Sequence, residues 1–270
     1  MATATAKKTN WLVDMLTSTL GRKLIMALTG LFLILFLVVH LLGNLQLLKS
    51  DGGVAFNRYA DFMGHNPLIQ IISVGNFFFI VLHIVTSILL TLRNRAARPV
   101  QYAFTQEGKS SSWASRNMML LGTIVLIFLV VHLQAFWAKS KFGGLAETSL
   151  DGKTVHNLYK ATQVAFSESW IVGLYVLSMI GLAFHLFHGF KSAFQTLGLN
   201  HRKYSPAIHH LGVAFAVFVP AAYASIPVLM FLKQESLSPI VLGASGVLAL
   251  IVSSVIKPKA ERKVSDGGAG

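Results

Sequence analysis

The chain is predicted to fold as an all-α integral membrane protein, a bundle of five transmembrane helices followed by a sixth C-terminal span. Three observations carry that prediction. Of 270 residues, 54% are hydrophobic and only 12% charged, whereas about a quarter of the residues in soluble domains are charged. The apolar residues gather into runs of the roughly 17 to 25 positions that a membrane-spanning helix needs. The basic residues gather in alternate links between those runs, which is how membrane topology is encoded. With short polar links and no Pro/Ser-rich linker, residues 1–270 read as one membrane domain.

The spans are expected at 24–48, 68–92, 118–138, 170–194, 211–232 and 239–256. The first four form a core over about 21–195. The fifth domain piece runs 208–232 with its polar lead, and the last span is short and rich in Ser and Gly. The N-terminal stretch carries Lys7, Lys8, Arg22 and Lys23 against Asp14, and no small-residue cleavage site follows. The first span is therefore expected to stay in the protein. The first link is balanced (Lys49 and Arg58 against Asp51 and Asp61), and the second is basic (Arg93, Arg95, Arg98, Lys109 and Arg116 against Glu107). The third link, 139–169, is nearly balanced, while the fourth has Lys191, Arg202 and Lys203 with no acid. The fifth link is neutral and the tail basic again, so both termini are expected in the cytoplasm. The third link is too long for a simple connection. Its stretch VHNLYKATQVAF (155–166) is expected either as an amphipathic helix lying on the outer surface or as an ordered loop.

The composition also removes several functions. There is no cysteine, which excludes disulfides, thiolate catalysis and cysteine-held iron–sulfur clusters within this chain. The net charge of +13 sits beside apolar segments, where it sets topology and meets lipid headgroups, so no nucleic-acid partner is expected.

The hexapeptide FLVVHL occurs twice, at 36–41 and 128–133. Each copy places one His within a span, and two further spans carry His83 and His185, with His188 one turn on as an alternative to His185. Ionisable groups inside membranes mark function, and no span interior here holds Asp, Glu, Lys or Arg. Neutral imidazoles without counter-ions suit iron ligation. With the N-terminus inside, His40 lies roughly 24 Å along the first span from its inner end. His132 comes equally late in the third span, so both approach the outer face. His83 and His185 lie roughly 14 Å from the inner side. The four thus form two layers of two, as two stacked bis-histidine haems require. Small residues on the same helix faces, Gly43 and Ala135 for the outer pair and Ser87 and Gly189 for the inner, leave room for a macrocycle. His65, His156 and His201 are expected in hydrated links, and His209 and His210 at a hydrated helix end. For haem propionates, Arg22 and Lys23 inside and Arg58 outside are the available cations. For a quinone, the outer polar residues are Asn44, Gln46, Asp61 and His65, with Gln134 beside His132.

At these residues the chain resembles the membrane cytochrome b subunit of succinate dehydrogenase and fumarate reductase, the single-subunit type with two haems. The similarity covers roughly 21–232. It is carried by FNRYADFMGHNPLI (56–69), by the spacing of the four histidines, and above all by FHLFHGFKSAFQTLG (184–198). The resemblance implies a multi-pass subunit of respiratory complex II in the bacterial cytoplasmic (inner) membrane. Its cofactors would be two haem b, a distal one on His40 and His132 and a proximal one on His83 and His185. Menaquinone or another quinone would react near the distal haem. Its partners would be a flavoprotein subunit holding FAD and an iron–sulfur subunit on the cytoplasmic side, with membrane lipid around it and a homo-oligomer of the whole complex allowed. The dicarboxylate chemistry would belong to the partners, not to this chain. Two departures stand out: the sixth span exceeds the usual five, and GLAF before His185 lacks the acidic residue of some relatives. Competing readings are the cytochrome b anchor of a hydrogenase or formate dehydrogenase, a stand-alone transmembrane electron carrier, and a haem-free transporter whose histidines relay protons.

Overall fold

The computed structural model describes residues 10–97 and 112–232. Over these residues the protein is a multi-pass helical membrane protein with five helices long and apolar enough to cross a bilayer. The expected sixth span, 239–256, lies outside the described residues, as do Lys7, Lys8, Arg98 and Lys109.

A short amphipathic helix, α1 (Trp11–Thr17), is capped by Asn10, whose side chain accepts from the Leu12 N–H. Ser18 then starts α2 (Thr19–Asn44) by accepting from the Gly21 N–H, so a first-turn donor that lipid could not satisfy is met. The span continues through a 3₁₀ turn to Leu48. Helix α3 (Val54–His65) lies across the end of the bundle that the charge pattern predicts to face outward, called the outer end, and Asn66 both ends it and caps α4 (Pro67–Ala96), with Pro67 in the first turn. A single turn, α5 (Trp113–Arg116), leads into α6 (Met118–His132). That helix passes through a π-helical stretch, Leu133–Ala138, into α7 (Lys139–Phe142). The last two spans are α9 (Ser169–Thr196) and α10 (Ser205–Leu232).

The third link holds more structure than expected. Strands β1 (Glu147–Leu150) and β2 (Lys153–His156) pair antiparallel. Asp151 and Gly152 turn between them with φ of 51° and 77°, the doubly positive pair that a tight type I′ hairpin requires. The segment 155–166 is therefore not one helix: Val155 is a buried strand residue, and α8 runs only Leu158–Phe166, capped by Asn157. Nor does α8 lie free on the surface, because Phe166 joins Leu47, Phe56, Tyr175 and Ile226 in a buried cluster that closes the outer end.

Within the bundle, α2 packs on α4 and α9, and α9 packs on α6 and α10, while α4 and α6 touch lightly. Close approach is licensed by glycine. A Cβ on Gly212 would lie 2.7 Å from the Phe190 ring, and one on Gly181 2.9 Å from Ile124, so these helix pairs approach more closely than larger residues would allow. Large apolar side chains such as Leu35, Ile71 and Val74 point outward, as expected of a surface solvated by lipid.

Candidate functional site

The four span histidines meet in the structure as two pairs. His40 on α2 and His132 on α6 have ring centroids 5.8 Å apart with planes at 89°. His83 on α4 and His185 on α9 are 6.3 Å apart at 64°. Each pair joins helices that lie across the bundle from one another.

The levels of the two pairs can be read from their neighbours. His83 is hydrogen-bonded to Thr29 and faces Gly30 on α2, whereas its counterpart at the outer level, His40, lies ten residues further along that helix. His185 faces Gly122 on α6, ten residues before His132. Ten residues of helix rise about 15 Å. Both helices therefore report the same separation between layers.

The repeated hexapeptide has a local reason. Residues four apart share a helix face, and Phe36 lies on the His40 ring at 5.2 Å and 20°. Phe128 lies on His132 at 5.5 Å and 24°. Each Phe thus holds the imidazole four residues later in one orientation. Tyr175 adds to the outer pair: its hydroxyl is 3.3 Å from His132 Nδ1. Tyr223 packs 6.1 Å from the His40 ring while its hydroxyl donates to the Leu37 carbonyl at 2.6 Å.

At the inner pair the tautomer follows from the hydrogen bonds. Thr29 donates its single hydroxyl proton to the Ile25 carbonyl at 2.7 Å. Its oxygen can then only accept from His83 Nδ1–H, 3.0 Å away, which leaves Nε2 with the free lone pair. Across the pair, the buried Nδ1 of His185 has no hydrogen-bond partner. A buried polar atom without a partner calls for an explanation, and no described side chain supplies one for His185 Nδ1.

The ring spacing of each pair is compatible with one iron shared between its two imidazoles. Two imidazoles on one iron, with iron–nitrogen bonds of about 2 Å and about 1.1 Å from nitrogen to ring centre, have centroids about 6.2 Å apart. The observed 5.8 and 6.3 Å bracket that spacing. Among the described residues no cluster of three or more His, Asp or Glu side chains could hold a free metal ion. Each pair offers two nitrogens, the number that a macrocycle leaves unfilled.

The small residues match expectation only in part: Gly189 has open space at its Cβ position, but Gly43 does not. The Tyr59 ring occupies the space beside Gly43: a Cβ there would meet that ring at 2.5 Å. Burial pushes the Tyr59 phenol above its usual range. Gly30 and Gly122 also face the inner imidazoles, at 3.5 Å and 3.9 Å from a Cβ to Cε1 of His83 and His185 respectively. They were legible, for the repeat is longer than six residues: MALTG (26–30) and MMLLG (118–122) stand at the same 92-residue offset as the two FLVVHL copies.

The outer polar residues are dispersed. Asn44 spends its amide on the His40 carbonyl at 2.7 Å. Asp61 and His65 pair with each other at 3.0 Å on the exposed side of α3, and Gln46 lies in the 3₁₀ turn after α2. Arg58 is held by both oxygens of Asp151 in the hairpin turn, 2.8 Å at the closest. Arg22 and Lys23 lie in the first turn of α2, at the inner end. His188 is half-buried one turn beyond His185 and belongs to neither ring pair. No family model, curated protein or solved structure matches the chain.

Proposed function

We propose that this protein is a di-haem cytochrome b that anchors a succinate:quinone oxidoreductase, passing electrons between an iron–sulfur partner and a membrane quinone. The observation that carries the reading is the presence of two histidine pairs, one layer above the other, each at the ring spacing of a six-coordinate iron. When bound, two b-type haems would supply one-electron transfer between the partner and the quinone.

The rest is the work of the chain. His40 and His132 would hold the outer iron, and His83 and His185 the inner one. Phe36 and Phe128 fix the rotation of the outer imidazoles. Thr29 holds the proton of His83 on Nδ1 and so presents Nε2 to the metal. Such partners orient a ligand and raise its basicity. With no cysteine in the chain, the iron–sulfur clusters of such a complex belong to a partner, and in this reading the flavin that exchanges electrons with succinate or fumarate does too, on the inner side. A quinone, in this reading menaquinone, reacts on the outer side, where Gln46 and the Asp61–His65 pair offer polar groups at the rim.

The test is haem content per polypeptide by pyridine haemochrome on the purified complex, with His40→Ala and His83→Ala alongside. Two haems falling to one in each variant, with covalent or tightly bound flavin in a co-purifying chain, is the expected outcome. A wild-type preparation without haem, made in cells that synthesise it, sinks the proposal.

A further inference from the structure

A second site lies away from the histidine pairs, in the groove between the inner ends of α9 and α10. This half-open groove has a volume of about 330 Å³, and its lining includes the polar residues Lys191, Gln195, Asn200 and His209 and the apolar residues Phe194 and Ile208. We propose that this groove binds the phosphate of an anionic membrane phospholipid, with the acyl chains leaving along the apolar side.

Charge is the first reason. Residues 169–232 contain no Asp or Glu, while Lys191, Arg202 and Lys203 cluster at this end together with His201, His209 and His210. Lys191 is exposed and forms no ion pair with any described residue. Its charge is therefore available to an anion from outside the chain. The donors point the same way: Ser205 donates its hydroxyl to Asn200 Oδ1 at 2.6 Å, which leaves the Asn200 amide hydrogens for a ligand.

Depth is the second reason. Lys191 precedes the last residue of α9, Thr196, by five positions, so it lies about 8 Å above the helix end. His209 is likewise one turn into α10. That is the level of lipid headgroups, where basic pockets between spans on the cytoplasmic side collect anionic lipids. A soluble subunit docking from below meets the helix ends and the 197–204 link first. The mixed lining also suits an amphiphile better than free phosphate, which has no use for Phe194 and Ile208.

The test uses the full-length protein with its co-purifying subunits. Phospholipid retained through detergent purification is quantified by mass spectrometry for the wild type, Lys191→Gln, His209→Gln and Lys191→Arg. Thermal midpoints are then measured with phosphatidylglycerol, phosphatidylcholine or inorganic phosphate added. The proposal expects retained anionic lipid, a stabilising shift from phosphatidylglycerol alone, a loss of lipid affinity of about fivefold in Lys191→Gln, and a smaller loss in His209→Gln, because an imidazole is mostly uncharged at neutral pH. Lys191→Arg should keep the lipid, which separates charge loss from misfolding. Equal retention in Lys191→Gln, equal shifts from phosphatidylcholine, a full shift from inorganic phosphate, or crosslinking of Lys191 to a partner carboxylate overturns it.

Discussion

In the proposed cytochrome, Thr29 is the hydroxyl that would orient the ligand His83. It is 2% exposed, and its oxygen stands between a helix carbonyl and His83. Thr29→Val keeps the shape of the side chain and removes the acceptor, leaving His83 Nδ1–H without its partner. Losses of this kind typically weaken metal binding by about 10- to 100-fold. We expect Thr29→Val to hold two haems when fresh but to release the inner one faster to an acceptor apoprotein, with a shifted potential for that haem alone. Identical release rates and potentials in the two proteins would show that Thr29 plays no part. The glycines allow a complementary test. Gly30→Leu and Gly122→Leu place bulk against the inner imidazoles while leaving the His40–His132 level untouched, so each should retain one haem with the outer potential unchanged. Loss of both haems in a folded variant would mean that the two layers are not independent.

At the scale of elements, α3 and α8 close the outer end through two interactions of different worth. Asn57, 4% exposed, donates to Asn157 Oδ1 at 3.1 Å and accepts from the Tyr159 N–H at 2.9 Å. Removing it takes away both hydrogen bonds of a buried amide, each contributing about 0.5–1.5 kcal/mol. Arg58 and Asp151 make a bidentate ion pair, but both are more than half exposed, and exposed pairs contribute about 0–1 kcal/mol. Asn57→Leu should therefore lower the thermal midpoint clearly, and Asp151→Asn should barely move it, when both are followed by unfolding in detergent. The reverse order would mean that the hairpin, not the buried amide, holds the cap in place. The same contacts explain why FNRY belongs in the motif at 56–69: Phe56 and Asn57 are buried, Arg58 reaches the hairpin, and Tyr59 covers Gly43.

For the whole molecule, sidedness follows from which links share an end. The first and third links meet through Asn57 and Arg58, whereas Arg93 donates to the Thr17 carbonyl at 3.0 Å and ties α1 to the far end of α4. The more basic links lie at that second end, which the positive-inside rule assigns to the cytoplasm. Because the chain has no cysteine, single replacements report cleanly. Asp151→Cys should react with an impermeant maleimide in intact cells, and Arg202→Cys only after permeabilisation. Labelling in the opposite pattern would invert the topology and place the anionic-lipid groove in the outer leaflet.

The five spans among the described residues, the polar links and the four histidines of the two ring pairs were legible because each rests on a strong local signal: long apolar runs, alternating basic charge, and ionisable residues where lipid tolerates few. The repeat of FLVVHL even disclosed equivalent surroundings, since Phe and His four residues apart meet on one helix whatever its neighbours do. The third link was only half legible. Asp151–Gly152 is a turn signal, but the amphipathic pattern through 155–166 obscured the strand that precedes α8. What the sequence determined by itself was therefore the membrane architecture and which residues could serve as ligands. Which groups stand across from them was decided only by the tertiary structure: Thr29 beside His83, Tyr175 beside His132, Gly30 and Gly122 facing the inner pair, and Tyr59 in the space beside Gly43. Contacts between helices depend on how each helix is rotated and how far it slides along its neighbour, and an apolar segment surrounded by lipid carries little periodicity from which either can be read.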